Sequence, residues 1–105
     1  MNAFTICDIK NEISVLINQY KGSTEEETQL VRQILTATYQ TPGMYDATML
    51  LITTIFERPE TAETELTAFK YGMMYSCPFT LIADAMTAIM TELVDKFCFG
   101  EEKEA

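Results

Sequence analysis

Residues 79–97, FTLIADAMTAIMTELVDKF, carry the strongest periodic pattern in the chain and decide its fold class. Apolar side chains recur there at spacings of three and four residues, which places them along one face of an α-helix. This stripe consists of Ile82, Met86, Ile89, Leu93 and Phe97. A second set of apolar residues widens it past half of the helix circumference: Leu81, Ala85, Met90 and Val94. Such a helix lies either at the centre of a bundle or against a second chain.

Four preceding segments show the same helical spacing, which predicts an all-α fold, a compact bundle of about five short helices. The predicted helices span residues 8–20, 24–39, 45–57, 61–75 and 79–97. Residues 45–57 also suit a strand, but they lack the alternation of a half-buried strand and have no second strand-like run to pair with. Residues 23–26, Ser-Thr-Glu-Glu, match a capping box at the start of the second helix. We expect a single helical domain over residues 1–100 and an acidic flexible tail at 101–105.

The composition excludes several classes of function. The 105 residues include 16 acidic and 7 basic side chains, for a formal net charge of −9, and no histidine. Direct nucleic-acid binding needs a basic face, which this charge balance does not supply. Without histidine the chain has neither the usual general base at neutral pH nor the commonest metal ligand, and its carboxylates do not follow the spacing of a known metal site. We therefore expect a non-enzymatic protein with no cofactor and no metal.

The cysteines and the hydropathy pattern indicate a cytoplasmic protein. Cys7, Cys77 and Cys98 form neither a disulfide framework nor a CxxC motif, which favours a reducing compartment. The N-terminal residues lack the basic segment of a signal peptide. The longest apolar stretch without a charge, residues 47–56, has ten residues, and a membrane span needs about twenty. No membrane association is expected.

Cys77 is the strongest candidate for a reactive group. It is predicted to lie beside the N-cap of the last helix, where the helix dipole favours a thiolate. The chain offers it no histidine to take the proton, so an inert buried thiol is the simpler interpretation. A thiol-dependent activity at Cys77 is kept as an alternative function.

The acidic residues suggest a basic protein partner. Much of the acid excess lies in predicted first turns of helices, where the helix dipole explains it. The more specific cluster consists of Glu57, Glu60, Glu63 and Glu65. Such a cluster steers basic partners toward it, so we predict a small acidic interaction module that binds a basic surface of a partner protein, as an inhibitor or adaptor of phage or bacterial type. The alternative is that the acidity serves solubility alone.

A methionine-rich and aromatic segment at the junction of the last two helices predicts an apolar interface. Its residues are Met73, Met74, Tyr75, Phe79, Met86 and Met90. Methionine-rich surfaces adapt to varied partners, so this segment suits a binding groove or a homodimer face. Methionine also fills hydrophobic cores, so burial of these residues inside the bundle is the alternative. In an alternative interpretation, a groove between the last two helices holds a partner peptide, as in an assembly or secretion chaperone. Gly72, inside the fourth helix, predicts a close backbone approach by another element.

Overall fold

The computed structural model describes residues 4–77 and 79–104, with side chains described as far as residue 100. These residues contain five α-helices and one short 3₁₀ turn, Pro59–Thr61, and the described part of the chain holds no strand. The α-helices are α1 Ile6–Gln19, α2 Glu25–Tyr39, α3 Met44–Glu57, α4 Ala62–Ser76 and α5 Thr80–Glu104. The predicted all-α bundle of five helices is confirmed, and residues 45–57 are helical as expected.

Helix α5 is the central helix of the bundle, because it contacts all four of the others and does so more extensively than α3, which also meets all four. The predicted stripe is buried, with Ile82, Met86, Ile89 and Leu93 all in the core. Ala85, Met90 and Val94 are buried as well, whereas Leu81, the fourth residue of the widening set, is 43% exposed. The unusual width of the apolar surface of α5 is therefore used inside the chain, where helices pack on more than one of its sides. Of the two explanations for that width, the structure supports the central helix.

The other helices each turn one apolar face toward α5 or its neighbours. Helices α1, α2 and α3 contribute Ile9, Ile13, Ile17, Val31, Leu35, Tyr39, Ile52 and Ile55 to the core. Each of the aliphatic side chains in this set contributes roughly 1.5–3 kcal/mol through removal of its apolar surface from water. Helix α4 differs from the rest, since it contains no fully buried residue.

The starts of α1 and α2 are set by side-chain caps. At α1 the Thr5 hydroxyl accepts from the Asp8 backbone N–H at 3.2 Å, and the Asp8 carboxylate accepts from the Thr5 N–H at 2.7 Å. At α2 the N-cap is Thr24, whose hydroxyl accepts from the Glu27 N–H at 3.0 Å. The predicted pairing of Ser23 with Glu26 was therefore wrong by one residue. With Thr24 as the N-cap, the N3 residue is Glu27 and not Glu26. The Glu27 carboxylate accepts a hydrogen bond from the Ser23 N–H.

Two helix boundaries also differ from the sequence-based expectation. Helix α1 begins at Ile6, two residues before the predicted start, because its cap is Thr5. Helix α5 ends at Glu104 and not near residue 97. Phe97, Cys98 and Phe99 are half-buried against the core, so the apolar pattern continues past the predicted end. Residues 101–104 are thus part of the helix backbone, and Ala105 lies outside the described residues.

Two long polar side chains tie α1 to its neighbours. The Arg32 guanidinium on α2 donates twice to the Tyr20 carbonyl oxygen at the end of α1, at 3.2 and 2.9 Å. Lys96 on α5 pairs with Glu12 on α1 at 2.7 Å. The first contact satisfies a carbonyl that the helix end leaves without a partner. Helix α1 is thereby held on two sides, whereas α4 is held by packing on α5 and on the end of α3.

Candidate functional site

Helix α4 is the most exposed helix of the bundle and carries part of each of the two surfaces that the sequence predicted. Its inner side packs on α5 through half-buried Leu66, Phe69 and Met73. Its outer side faces away from the core and includes Glu63, Lys70, Tyr71, Met74 and Tyr75. The other four residues lie within a little over a quarter-turn of Met74 around the helix axis. A helix packed along only one side leaves the other side free for a partner.

The end of α4 and the start of α5 expose an unusual number of large apolar side chains. Nine large hydrophobic residues are exposed in the described chain, and five of them fall within residues 71–81. We refer to these five as the aromatic corner: Tyr71, Met74, Tyr75, Phe79 and Leu81. Their exposed fractions run from 43% to 96%, with Tyr75 the highest. Two of the five, Tyr71 and Leu81, were not in the predicted apolar interface. Tyr71 could have been included from the sequence, because it precedes Tyr75 by one helical turn and so lies near it on the helix surface.

Two members of the predicted apolar interface do not belong to this surface. Met86 and Met90 are 2% and 0% exposed and lie in the core of the bundle. Both point from α5 into the space between the surrounding helices, so they serve as core filler. Met73 is half-buried against the core. Met74, Tyr75 and Phe79 are exposed as that prediction required.

The predicted acidic cluster surrounds the connection from α3 to α4. Glu57, Glu60 and Glu63 are exposed and Glu65 is half-buried. Glu60 forms a long ion pair with Arg58 at 3.6 Å, and both side chains are largely in solvent. Such an exposed pair is worth little, so Glu60 stays available to another cation. We keep the name acidic cluster for these four glutamates.

Glu57 is the member of the acidic cluster that the fold does not explain. Glu63 lies in the first turn of α4, where the helix dipole favours a negative charge. Glu57 is the last residue of α3, where the same dipole opposes one, and no basic residue occupies that last turn. A carboxylate at this end costs roughly 0.3–1 kcal/mol. The position therefore suggests a use for Glu57 other than stability.

Gly72 is a second residue that lowers stability at an exposed position, here on α4. The sequence predicted a close approach by another element of the chain, but a Cβ built on Gly72 would meet no described atom within 4 Å. That expectation was wrong for contacts within the chain. Its φ is not in the left-handed region, so the backbone does not require glycine either. An exposed glycine in a helix interior costs about 1 kcal/mol relative to alanine, and nothing inside the described chain accounts for it.

Cys77 does not occupy the position that was predicted for it. Helix α5 begins at Thr80, and Cys77 is the C-cap of α4. The carbonyl end of a helix carries partial negative charge, which gives a thiolate no stabilisation. The half-buried Cys77 thiol also donates to the Phe79 carbonyl oxygen at 3.5 Å. The dipole argument for a reactive thiol is therefore lost.

The clefts beside α1 do not form a ligand site with the buried polar group next to them. Two clefts of about 260 and 390 Å³ lie between α1 and α2, and Asn18, Thr36 and Gln40 line both. Tyr39 borders the first, and its hydroxyl has no hydrogen-bond partner among the described residues. That oxygen is buried. A molecule in the cleft therefore does not reach the hydroxyl.

The described residues contain neither a metal-binding cluster nor a membrane-spanning helix. Within residues 4–77 and 79–104, no group of three or more carboxylates and thiols is placed to hold a metal ion. None of the helices in the described chain has the length and hydropathy to cross a membrane. Comparison of the chain with protein families, with curated proteins and with solved structures finds no match in any of the three.

Proposed function

We propose that this chain is a small, non-enzymatic interaction module that binds a partner protein through the aromatic corner and the adjoining acidic cluster. The observation that carries the proposal is the concentration of exposed apolar side chains at residues 71–81. Taking about 200 Å² for a fully exposed large side chain, the corner offers on the order of 600 Å² of surface. One partner in a standard interface buries about 800 Å².

The residue types of the corner suit a binding site. Tyrosine is enriched among the residues that contribute most to protein interfaces, because its ring buries a large area at a small cost in side-chain entropy. Tyr71 and Tyr75 lie one turn apart on α4, and Phe79 follows at the junction with α5. Each side chain is held on a helix or beside one, so little ordering is needed when a partner binds.

The acidic cluster favours a partner with a basic surface. With a net charge of −9, the chain attracts basic surfaces and repels acidic ones. Glu57 and Gly72 both lower the stability of the helices that contain them. This supports a role in binding, since residues that serve a partner are often not the most stabilising choice. We propose that the module acts as an inhibitor or adaptor that covers a basic surface. The three free cysteines support a reducing compartment, the cytoplasm.

The alternative of a chaperone groove between α4 and α5 has less support. Its predicted walls included Met86 and Met90, which are in the core. Helices α4 and α5 also pack on each other more extensively than any other pair. The alternative of a thiol-dependent activity loses its physical argument with the placement of Cys77 at the end of α4.

The proposal is tested by affinity capture from cells of the native host, with wild type compared to two variants. In the first, Tyr75 and Phe79 are both replaced by serine. In the matched control, Leu50→Ser, an apolar residue on α3 that is about as exposed as Phe79 is replaced. We expect a host protein that is held by wild type and by Leu50→Ser and lost from the double variant. Equal recovery on all three proteins would refute the proposal.

A further inference from the structure

We infer that two copies of the chain pair through the outer side of α4, with their α4 helices antiparallel, and that this pairing places the acidic cluster of one copy beside the aromatic corner of the other. The second part rests on the proposed function and deepens it, because it makes the dimer the unit that binds the basic partner. Three properties of a row of side chains on α4 carry the inference: its lack of charge, the order of large and small residues along it, and its area.

The part of α4 that points most directly away from the core is a row of uncharged side chains. Thr64, Ala68, Tyr71 and Tyr75 recur at spacings of four, three and four residues, so they lie within about 60° of one another around the helix axis. All four are exposed, and they lie opposite the half-buried residues that pack on α5. We call these four residues the uncharged stripe. Its spacing is typical of a seam between two helices.

The charged residues of α4 lie away from the centre of the uncharged stripe. Glu63 and Glu65 are about a quarter-turn or more from that centre, on opposite sides, and Lys70 is farther still. A second helix centred on the stripe therefore meets no charged side chain of α4 at the middle of the contact, as is usual for the centre of an interface. The stripe gives a basic segment no carboxylate to bind. It suits an equally uncharged surface, such as the same stripe on a second copy.

The uncharged stripe has its small residues at one end and its large residues at the other. Thr64 and Ala68 come first, and Tyr71 and Tyr75 follow. A two-fold axis near residues 69 and 70 reverses the second copy, so that Tyr75 of each copy meets Thr64 of the other and Tyr71 meets Ala68. Each tyrosine ring then packs where the facing side chain is small. A parallel pairing would set tyrosine against tyrosine at one end and leave a gap at the other.

The antiparallel arrangement also separates the negative charge of the two copies. Each copy carries a net charge of −9, and a parallel pairing would bring the two acidic clusters together. In the antiparallel pair the two Glu63 residues are about 20 Å apart along the helix axes, more than twice the Debye length of about 8 Å at physiological salt. Repulsion between the clusters is therefore largely screened.

The same rotation brings together the two surfaces that the proposed function needs. Within one chain, Glu63 and Met74 are about 16 Å apart along the axis of α4. In the antiparallel pair, Glu63 of one copy is level with Ser76 of the other, about 3 Å along the axis from Met74 and on the same edge of the contact. The acidic cluster of each copy thus lies beside the aromatic corner of the other.

The area of the uncharged stripe is sufficient for a weak dimer. Tyr71 and Tyr75 are 60% and 96% exposed, which amounts to about 300 Å² if a large side chain offers about 200 Å². Thr64, Ala68 and Gly72 are exposed as well, so two copies would bury roughly 800–1,000 Å² in total, the size of a weak and reversible interface. The rest of the aromatic corner stays exposed for the basic partner: Met74, Phe79 and Leu81.

Sedimentation equilibrium of the purified chain tests the dimer. We expect a monomer–dimer equilibrium with a dissociation constant between about 10 µM and 1 mM, and a tighter dimer at higher salt, because salt screens the remaining repulsion. Ala68→Glu places a carboxylate against Tyr71 of the other copy and is expected to raise the dissociation constant at least about tenfold. The matched control, Ala88→Glu, makes the same change at an exposed alanine of α5 and is expected to stay within about twofold of wild type. Circular dichroism is expected to show an unchanged helix content in both variants.

Mixtures of variants test the direction of the helices. Thr64→Glu and Tyr75→Lys are each expected to weaken the dimer alone. In an equimolar mixture the new carboxylate and the new ammonium group face each other across the antiparallel contact, so we expect association about fivefold or more tighter than in either variant alone. Thr64→Glu mixed with Thr64→Lys places the charges about 16 Å apart in the same dimer and is expected to show no recovery.

Several outcomes would overturn the inference. These are a chain that stays monomeric up to about 1 mM, equal effects of Ala68→Glu and Ala88→Glu, or recovery in the second mixture instead of the first. None of these measurements uses the host protein, so their failure leaves the proposed function standing. A monomeric chain that loses the host protein on Ala68→Glu would assign the uncharged stripe to that protein instead of a second copy.

Capture of the host protein tests whether the dimer is the binding unit. We expect Ala68→Glu to recover less of the host protein than Ala88→Glu does. Equal recovery by these two variants, with loss from the variant in which Tyr75 and Phe79 are serine, would refute the inference and leave the proposed function standing. A dimer with no host protein that depends on Tyr75 and Phe79 would refute the proposed function.

Discussion

Tyr39→Phe offers a direct check on the packing of the core. The Tyr39 side chain is buried between α1, α2 and α3, and its hydroxyl has no hydrogen-bond partner in the described chain. A buried polar group without a partner costs about 1–3 kcal/mol, and phenylalanine removes the group while keeping the ring. We expect the free energy of unfolding to rise by about 1 kcal/mol, which corresponds to an increase in Tm of roughly 4–8 °C for a domain near this size.

The assay is urea denaturation followed by circular dichroism, with Tyr45→Phe as the control. Tyr45 is half-buried and its ring centroid lies 6.2 Å from that of Tyr39; we expect its replacement to change stability by less than about 0.5 kcal/mol. A loss of stability in Tyr39→Phe would refute the reasoning, because it would mean that the hydroxyl makes a bond of net value, for instance to a bound water.

Titration gives an independent readout of the same group. Burial, and secondarily the neighbouring Tyr45, raises the pKa of Tyr39 above its ordinary value of 10.0. Above that pH the unfolded chain loses the phenolic proton and the folded chain keeps it, so the stability of wild type falls as pH rises through the alkaline range. Tyr39→Phe lacks this component. The advantage of the variant over wild type is therefore expected to widen above about pH 10, and a constant difference would contradict the burial of the hydroxyl.

Three further predictions concern single residues. Burial raises the pKa of the Cys98 thiol to about 11, and this thiol donates to the Ile52 carbonyl oxygen at 3.4 Å. Iodoacetamide is therefore expected to alkylate exposed Cys7 much faster than Cys98. Equal alkylation rates in mass spectrometry would show the prediction to be wrong. Glu57→Lys is expected to raise the free energy of unfolding by about 0.5 kcal/mol, because it replaces an unfavourable charge at the end of α3; a decrease in urea denaturation would contradict the dipole argument. Gly72→Ala is expected to raise it by about 1 kcal/mol, since the added methyl group meets no described atom within 4 Å, and a destabilised variant would show that the helix needs glycine there.

The helices were predictable because their apolar residues repeat with the period of the helix. The stripe of Ile82, Met86, Ile89 and Leu93 identified α5 and its buried face correctly. The same pattern did not decide what covers the wide side of α5, because periodicity defines a face and not the element that packs against it. The contacts of α5 with four other helices supplied that answer.

The candidate site was predictable in part. Met74, Tyr75 and Phe79 are exposed as the apolar interface required, whereas Met86 and Met90 are not. Methionine suits both cores and adaptable surfaces, so residue type alone did not separate them. Met86 already belonged to the predicted buried stripe of α5, and that position was the better guide.

Positions near helix ends were the least predictable. Cys77 lies between two helices, and its assignment to the start of α5 instead of the end of α4 reversed the sign of the dipole argument. The N-cap of α2 was misplaced by one residue for a related reason, since both Ser23 and Thr24 are good caps. Local sequence permits either register, and the packing of the helices on each other decides between them.

The central claim, that the aromatic corner binds a partner protein, is tested most directly by measuring the affinity of the captured host protein for wild type and for the variant with Tyr75→Ser and Phe79→Ser. Loss of two exposed aromatic anchors is expected to weaken binding at least a hundredfold, on the order of 3 kcal/mol, while the unfolding midpoint in urea stays within error because both side chains are exposed. An affinity equal to that of wild type, with the fold intact, would contradict the account.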